Sequence, residues 1–193
     1  LCTYAPTREE AIEHMKKALG NYIIRGIAHN MSFLEAIMNH PRFISGDIST
    51  NFIDSEYPDG FLGAELTSET TIFFLAVAVY IYLMDAKRAT TTSGKLQGEE
   101  RKIGTRWVVN IDGQLYPVIV KFTQNGFNMR QDRKRINITT NWTLGSSLFK
   151  GEVNGQKISV KIEHCTNGYL LTHGGSTVKA MVRSPRVAEL ESI

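Results

Sequence analysis

The spacing of hydrophobic positions changes twice along this chain. In the first stretch Ile12, Met15, Leu19 and Tyr22 recur at three- and four-residue intervals, which lays one apolar stripe along a helix. Thr7 and Glu10 frame its start as a capping box: the hydroxyl accepts from the Glu10 N–H and the carboxylate reaches back. Ser32-Phe33-Leu34-Glu35 has the same form and predicts a second helix. That helix must end by His40, because the residue before Pro41 disfavours helical backbone. Leu1–Tyr4 and Tyr22–Ile27 are predicted as short strand pieces. About 50 residues with so few elements bury little surface alone, so residues 1–57 are expected to be the tail of a larger domain.

The helical period then disappears. From Ile72 to Met84 every position is apolar or aromatic, and a helix hydrophobic all round must be buried all round. Tyr57-Pro58-Asp59-Gly60 is a turn and a boundary, and Thr67 or Ser68 can cap the helix that follows. Running from about 67 to 90, it would be about 35 Å long.

Beyond it the period becomes two. Ile158, Val160 and Ile162 fall on one face, with Lys157, Ser159 and Lys161 on the other. Turn signals punctuate the region at Asp112-Gly113, Asn125-Gly126, Asp132-Arg133, Gly145-Ser146, Asn154-Gly155, Asn167-Gly168 and Gly174-Gly175. Seven turns predict roughly eight strands in an up-and-down antiparallel meander. An all-apolar helix needs a sheath, and an alternating sheet needs something against its inner face. The expected fold is therefore α+β: a β-barrel around a long central helix over residues 58–193, preceded by a small αβ fragment. An ordinary closed eight-stranded barrel has room only for side chains, so this one is expected to be splayed or incompletely closed.

Composition excludes more than it adds. With 42% hydrophobic and 21% charged residues the chain has the make-up of a globular protein. A net charge of +3 is too small to argue for nucleic acid or an anionic membrane. Cys2 and Cys165 form no disulfide framework, which favours a reducing compartment. The opening Leu1-Cys2-Thr3-Tyr4 is neither a start methionine nor a secretory pattern, and reads as a chain entered in mid-strand. The 13-residue apolar run is shorter than the roughly 20 residues of a membrane span. A soluble, intracellular, truncated chain is expected.

The residue types of catalysis are present but not gathered. Neither Gly-x-Gly-x-x-Gly nor Gly-x-x-x-x-Gly-Lys occurs, and Gly-x-Ser-x-Gly is missing too. The five histidines are scattered, and His164-Cys165 lacks the further ligands a metal site needs. Arg130, Arg133, Lys134 and Arg135 make a basic knot, but it covers one hairpin turn and reads as solvated charge rather than a nucleic-acid surface. Asn137-Ile138-Thr139 and Asn141-Trp142-Thr143 match a glycosylation sequon, which matters only in a secreted protein. No catalytic, cofactor-binding or metal-ligating residue is expected.

Arg8-Glu9-Glu10-Ala11-Ile12, Tyr22-Ile23-Ile24-Arg25-Gly26-Ile27, His29-Asn30 and Gly46-Asp47-Ile48-Ser49-Thr50 before Phe52-Ile53 resemble the C-terminal end of biotin carboxylase domains. Tyr57-Pro58-Asp59-Gly60-Phe61, the helix, Ile136-Asn137-Ile138-Thr139 with Trp142-Thr143-Leu144, and Arg186-Val187-Ala188-Glu189-Leu190 extend the resemblance to propionyl-CoA carboxylase α subunits. The resemblance implies a remnant of biotin carboxylase over 1–57 and a linking domain of barrel and helix over 58–193. Its implied partners are the carboxyltransferase β subunit and the biotin carboxylase and biotin carrier domains of its own subunit. It implies biotin, ATP and Mg in the whole enzyme, held outside this chain, and an enzyme of the bacterial cytoplasm or mitochondrial matrix. The alternatives are a free-standing barrel binding an acyl or apolar ligand, or the same region of another acyl-CoA carboxylase.

One connection is too long for packing alone. Ala89–Thr105 joins the helix to the first strand, where about four to six residues is usual and longer loops are often functional. It contains Gly94 and Arg101, and Arg106-Trp107 stands at its base. Arg and Trp are the types most enriched at binding hot spots, so Gly94, Arg101, Arg106 and Trp107 are the expected partner-binding residues. Alternation with Val109 equally allows Trp107 to pack in the barrel wall.

Overall fold

The hydroxyl half of the Thr7 capping box forms as its residues predict. In the computed structural model, which describes residues 1–90, 103–123 and 126–191, Thr7 Oγ1 accepts from the Glu10 N–H at 3.3 Å and opens α1 (Arg8–Asn21). Then follow α2 (Met31–Asn39), α3 (Pro41–Ser45) and α4 (Phe52–Glu56). Pro41 stops α2 and starts α3 as its first residue.

The second capping box does not form. Helix α2 begins after Asn30 with no side-chain cap, which leaves Ser32 inside it. Glu35 turns inward instead, 3% exposed, and its Oε2 accepts from the Gly175 N–H at 3.1 Å. A carboxylate committed to that bond cannot reach back to a helix start. The two expected strand pieces also differ: residues 1–4 and 22–27 have no ladder neighbour and are irregular, since extended backbone becomes a strand only by pairing.

These helices belong to one compact unit, Leu1–Thr67 together with Thr172–Thr177. Ile12, Leu19, Met31, Ala36, Ile37 and Phe52 are its buried apolar residues. Within it, Ala64 N donates to Gly175 O at 3.2 Å and Ser176 Oγ donates to Ala64 O at 2.9 Å.

The second unit, Ser68–Leu171 with Val178–Ile193, contains α5 (Ser68–Thr90), the longest helix among the described residues. Phe74 through Val79, Ile81 and Leu83 are all 0% exposed. By length and composition α5 could cross a membrane. Its burial against barrel residues accounts for that hydropathy.

The sheath is β1 (Arg106–Ile111), β2 (Gln114–Thr123), β3 (Gly126–Gln131), β4 (Lys134–Thr140), β5 (Leu148–Val153), β6 (Gln156–Cys165), β7 (Gly168–His173) and β8 (Ser176–Arg183), followed by α6 (Pro185–Glu191). The strands run in chain order as an antiparallel meander. Six of the seven connections lie at the predicted turns, and Asn125 of the remaining one lies outside the described residues. At Asp112-Gly113 (φ 47° and 93°) and Asn154-Gly155 (φ 53° and 83°) both central residues are left-handed, as the tightest hairpins require.

The barrel is closed, with β8 pairing back onto β1, so the expected incomplete closure does not occur. The helix meets the wall through small side chains at its middle, Ala76, Val77, Ala78 and Val79. Bulk is concentrated beside them, where Tyr80 stacks on Phe127 and meets Phe149 edge-on, both at 5.7 Å between centroids.

Candidate interaction site

Strand alternation places Arg106 and Trp107 on opposite faces of β1. Arg106 is exposed on the outside, across the ladder from Ile119, while Trp107 points inward at the end of the barrel and is half-buried. Trp107 Nε1 donates to Gly104 O at 3.0 Å, and its ring meets Tyr82 edge-on at 4.9 Å. Trp107 thus both packs on the barrel core and borders open space.

That space is a cavity of about 570 Å³ lined by the end of α5, residues Ile103 and Gly104, Trp107 and Tyr169. On its rim Arg88 Nη2 approaches Asp85 Oδ1 at 3.6 Å. Burial pushes the Tyr169 phenol up to about 12, with Asp85 and then Tyr82 adding to the shift, so it stays a neutral donor at physiological pH. An aromatic floor with a charged rim can receive a side chain or a segment of chain, and among the described residues it brings together no nucleophile and base. Gly94 and Arg101 lie outside the described residues.

A second polar cluster sits in the first unit. Arg42 Nη1 donates to Glu56 Oε1 at 2.5 Å and to Ser55 Oγ at 3.3 Å, and Arg42 Nε donates to Asp47 Oδ2 at 3.0 Å. His40 Nε2 lies 3.1 Å from Glu56 Oε2, and its ring packs edge-on against Phe52 at 5.1 Å. The hydrogen bond from Arg42 holds the Glu56 carboxyl below its ordinary value, and the two carboxylates raise Arg42 in turn. The cluster ties α3 and α4 across the segment 46–51, a structural task.

The remaining polar residues stay apart. His164 is exposed and meets Tyr169 edge-on at 5.4 Å, and Cys2 and Cys165 are free and exposed. Among the described residues no group of three His, Cys, Asp or Glu side chains could hold a metal ion. No lysine of the chain stands in an Ala-Met-Lys-Met setting. These residues therefore do not fit magnesium or covalent biotin, and no step of chemistry is assigned to them. Tyr82, Asp85, Arg88 and Tyr169 were not expected at a site. Their only signal is that Asp85 ends the apolar run.

Comparison with known proteins accords with this picture. Residues 1–55 match the biotin carboxylase C-terminal domain. The chain is 39% identical over 191 residues to the propionyl-CoA carboxylase alpha chain of Ruegeria pomeroyi, covering 98% of this chain and 28% of that protein. It is 33% identical over 168 residues to the mitochondrial propionyl-CoA carboxylase alpha chain of Mus musculus, covering 83% of this chain and 23% of that one. Biotin carboxylase 1 of Bacillus subtilis is 40% identical over 53 residues, 28% of this chain and 12% of that protein. The chain thus spans less than a third of the length of these relatives. Residues 74–193 match the propionyl-coenzyme A carboxylase BT domain, and the chain belongs to that family.

Proposed function

We propose that this chain is the assembly region of the biotin-containing α subunit of a propionyl-CoA carboxylase, joining that subunit to a carboxyltransferase β subunit. Residues 1–57 would be the C-terminal remnant of the biotin carboxylase domain and 58–193 the linking domain. The whole enzyme would use ATP and bicarbonate to carboxylate biotin, then pass the carboxyl group to propionyl-CoA to give methylmalonyl-CoA. It would act in the bacterial cytoplasm or the mitochondrial matrix; one of the relatives is named as mitochondrial. This chain would supply the scaffold between the two active sites and none of the chemistry.

The observation that carries the reading is the match to the BT domain across α5 and the barrel. The barrel interior supports it, since Phe73, Phe74 and Tyr80 occupy the lumen an acyl ligand would need. The contact surface would be the connection after α5, with Gly94 and Arg101, and its base at Arg106 and Trp107. Replacing residues 91–102 by a short Gly-Ser linker should leave the circular dichroism spectrum unchanged and abolish co-purification with the β subunit. Full retention of the complex would move the interface elsewhere on the barrel.

A further inference from the structure

The outer face of β1–β4 carries an unbalanced charge. Residues 106–140 contain six cations (Arg106, Lys121, Arg130, Arg133, Lys134, Arg135) and two carboxylates (Asp112, Asp132), a net of +4. The whole chain nets +3, so the remainder nets −1. The positive surplus of the chain is located on these four strands.

The ladder register aligns it. Arg106 lies opposite Ile119, Ile119 opposite Arg130, and Arg130 opposite Arg135. This single row across four strands is about 14 Å long at the usual strand separation. All three arginines are exposed, with Ile119 half-buried between two of them. Lys121 begins the next row, and Arg133 and Lys134 stand exposed at the β3–β4 turn beside it. Among the described residues none of the six cations makes an ion pair. The two carboxylates are otherwise engaged: Asp132 accepts from Gln131 Nε2 at 2.7 Å, and Asp112 accepts from the Lys179 N–H at 2.9 Å.

Like charges directly opposed across an antiparallel ladder destabilise it. Arg130 and Arg135 therefore weaken a hairpin that either one alone would not. We infer that the β1–β4 face docks an acidic patch of the carboxyltransferase subunit, with Arg130 and Arg135 at its centre and Arg106 at its edge. The inference rests on the assembly reading above, and Arg106 joins the row to the proposed contact.

The chemistry of the face selects a protein partner. Its outward positions set Ile119 between two guanidinium groups, with Pro117 and Leu115 further along β2, and arginine beside apolar surface is the composition of protein interfaces. The outward rows of β1–β4 hold no aromatic, and Phe122, exposed at the end of β2, is a single ring rather than a series. A single-stranded nucleic acid needs stacking platforms along a longer charged track.

The test uses full-length α subunit and β subunit, with association rates measured at about 50 mM and about 300 mM salt. Arg130→Glu with Arg135→Glu should slow association about tenfold or more at the lower salt and flatten the salt dependence. Lys179→Glu, outside the row, serves as the control and should change neither. Arg135→Glu alone should separate docking from folding. It sets opposite charges across the ladder, so it should raise the melting temperature while still slowing association. Unchanged rate and salt slope in the double variant would overturn the inference while leaving the assembly reading intact. Failure of the unaltered α subunit to bind β would overturn the assembly reading itself. Retention of a poly-dT oligonucleotide by the unaltered subunit, lost in the double variant, would overturn the protein partner in favour of nucleic acid.

Discussion

Replacing Gly175 by alanine should damage the first unit far more than the same change one residue earlier. Both glycines of the β7–β8 turn are left-handed, with φ 59° at Gly174 and 87° at Gly175. A side chain there carries roughly 1–2 kcal/mol of backbone strain at either position. At 174 the new methyl group meets only Asn39 Nδ2, at 4.0 Å. At 175 it lies 2.7 Å from Ser32 O and 3.0 Å from both the nitrogen and Cβ of Ala36. Those atoms are helix backbone and a stub of side chain, which cannot rotate aside, so the turn must withdraw. Withdrawal breaks the bond from Gly175 N to the buried Glu35 carboxylate. Hydrogen bonds to charged groups contribute about 1.5–3 kcal/mol. Gly175→Ala should therefore cost about 2.5–5 kcal/mol against about 1–2 for Gly174→Ala. Two compact units need not unfold together, so a single melting midpoint is a poor readout. Hydrogen exchange of the amides in α2 and in residues 172–177 reports the local opening directly, with Gly174→Ala as reference. Equal loss of protection in the two variants would refute the steric argument.

Ala78→Asp buries an unpaired carboxylate at a position with 0% exposure. The penalty of several kcal/mol rivals the 5–15 kcal/mol that holds a domain, so the barrel should lose its cooperative melt. A melt like that of the parent would mean that the barrel does not enclose α5. Phe74→Ala, also at 0% exposure, should destabilise the barrel by about 3–5 kcal/mol, and a shift below 1 kcal/mol in urea denaturation would show a loose lumen. The pH dependence of the first unit should follow Glu56, whose carboxyl is held below its ordinary 4.5 by Arg42. A depressed folded value contributes stability above pH 4.5 that is lost as pH falls through the folded value. Arg42→Ala should flatten the acid limb of exchange protection in α3 and α4, and an identical limb in the variant would remove Glu56 from the account.

The parts of the fold legible in sequence are those set by neighbouring residues. Asp112-Gly113 and Asn154-Gly155 specify their turns within two residues, and the unbroken apolar run before Asp85 could only be a buried helix. The Thr7 hydroxyl took the Glu10 N–H as the local pattern implies. Ser32 and Glu35 have the same pattern and did otherwise, because the competing partner of Glu35 is the N–H of Gly175, 140 residues away. Closure of the barrel was illegible for a related reason. It depends on how the volume of Ala76 and Ala78 meets the wall, which no single strand encodes. The cavity beside Trp107 draws Tyr82, Gly104 and Tyr169 from a helix, a connection and a strand. The arginine row appears in the chain as a lone Arg106 and a distant basic knot. Only the ladder register makes them one feature.

The order of helix and sheath along the chain has a consequence for biosynthesis. Helix α5 ends at Thr90, and the last strand of the wall ends at Arg183. The ribosome therefore makes the core first and its covering afterwards. At roughly 5–20 residues per second the interval lasts about 5–20 s, during which ten positions from Phe73 to Leu83 have no native cover. Closure must also wait for β8 to reach β1, the most distant strand pairing in the barrel. The yield of folded protein is thus set by a race between translation and the self-association of one apolar segment. Slowing elongation between Thr90 and Arg183 should cost yield without altering the stability of the molecules that do fold.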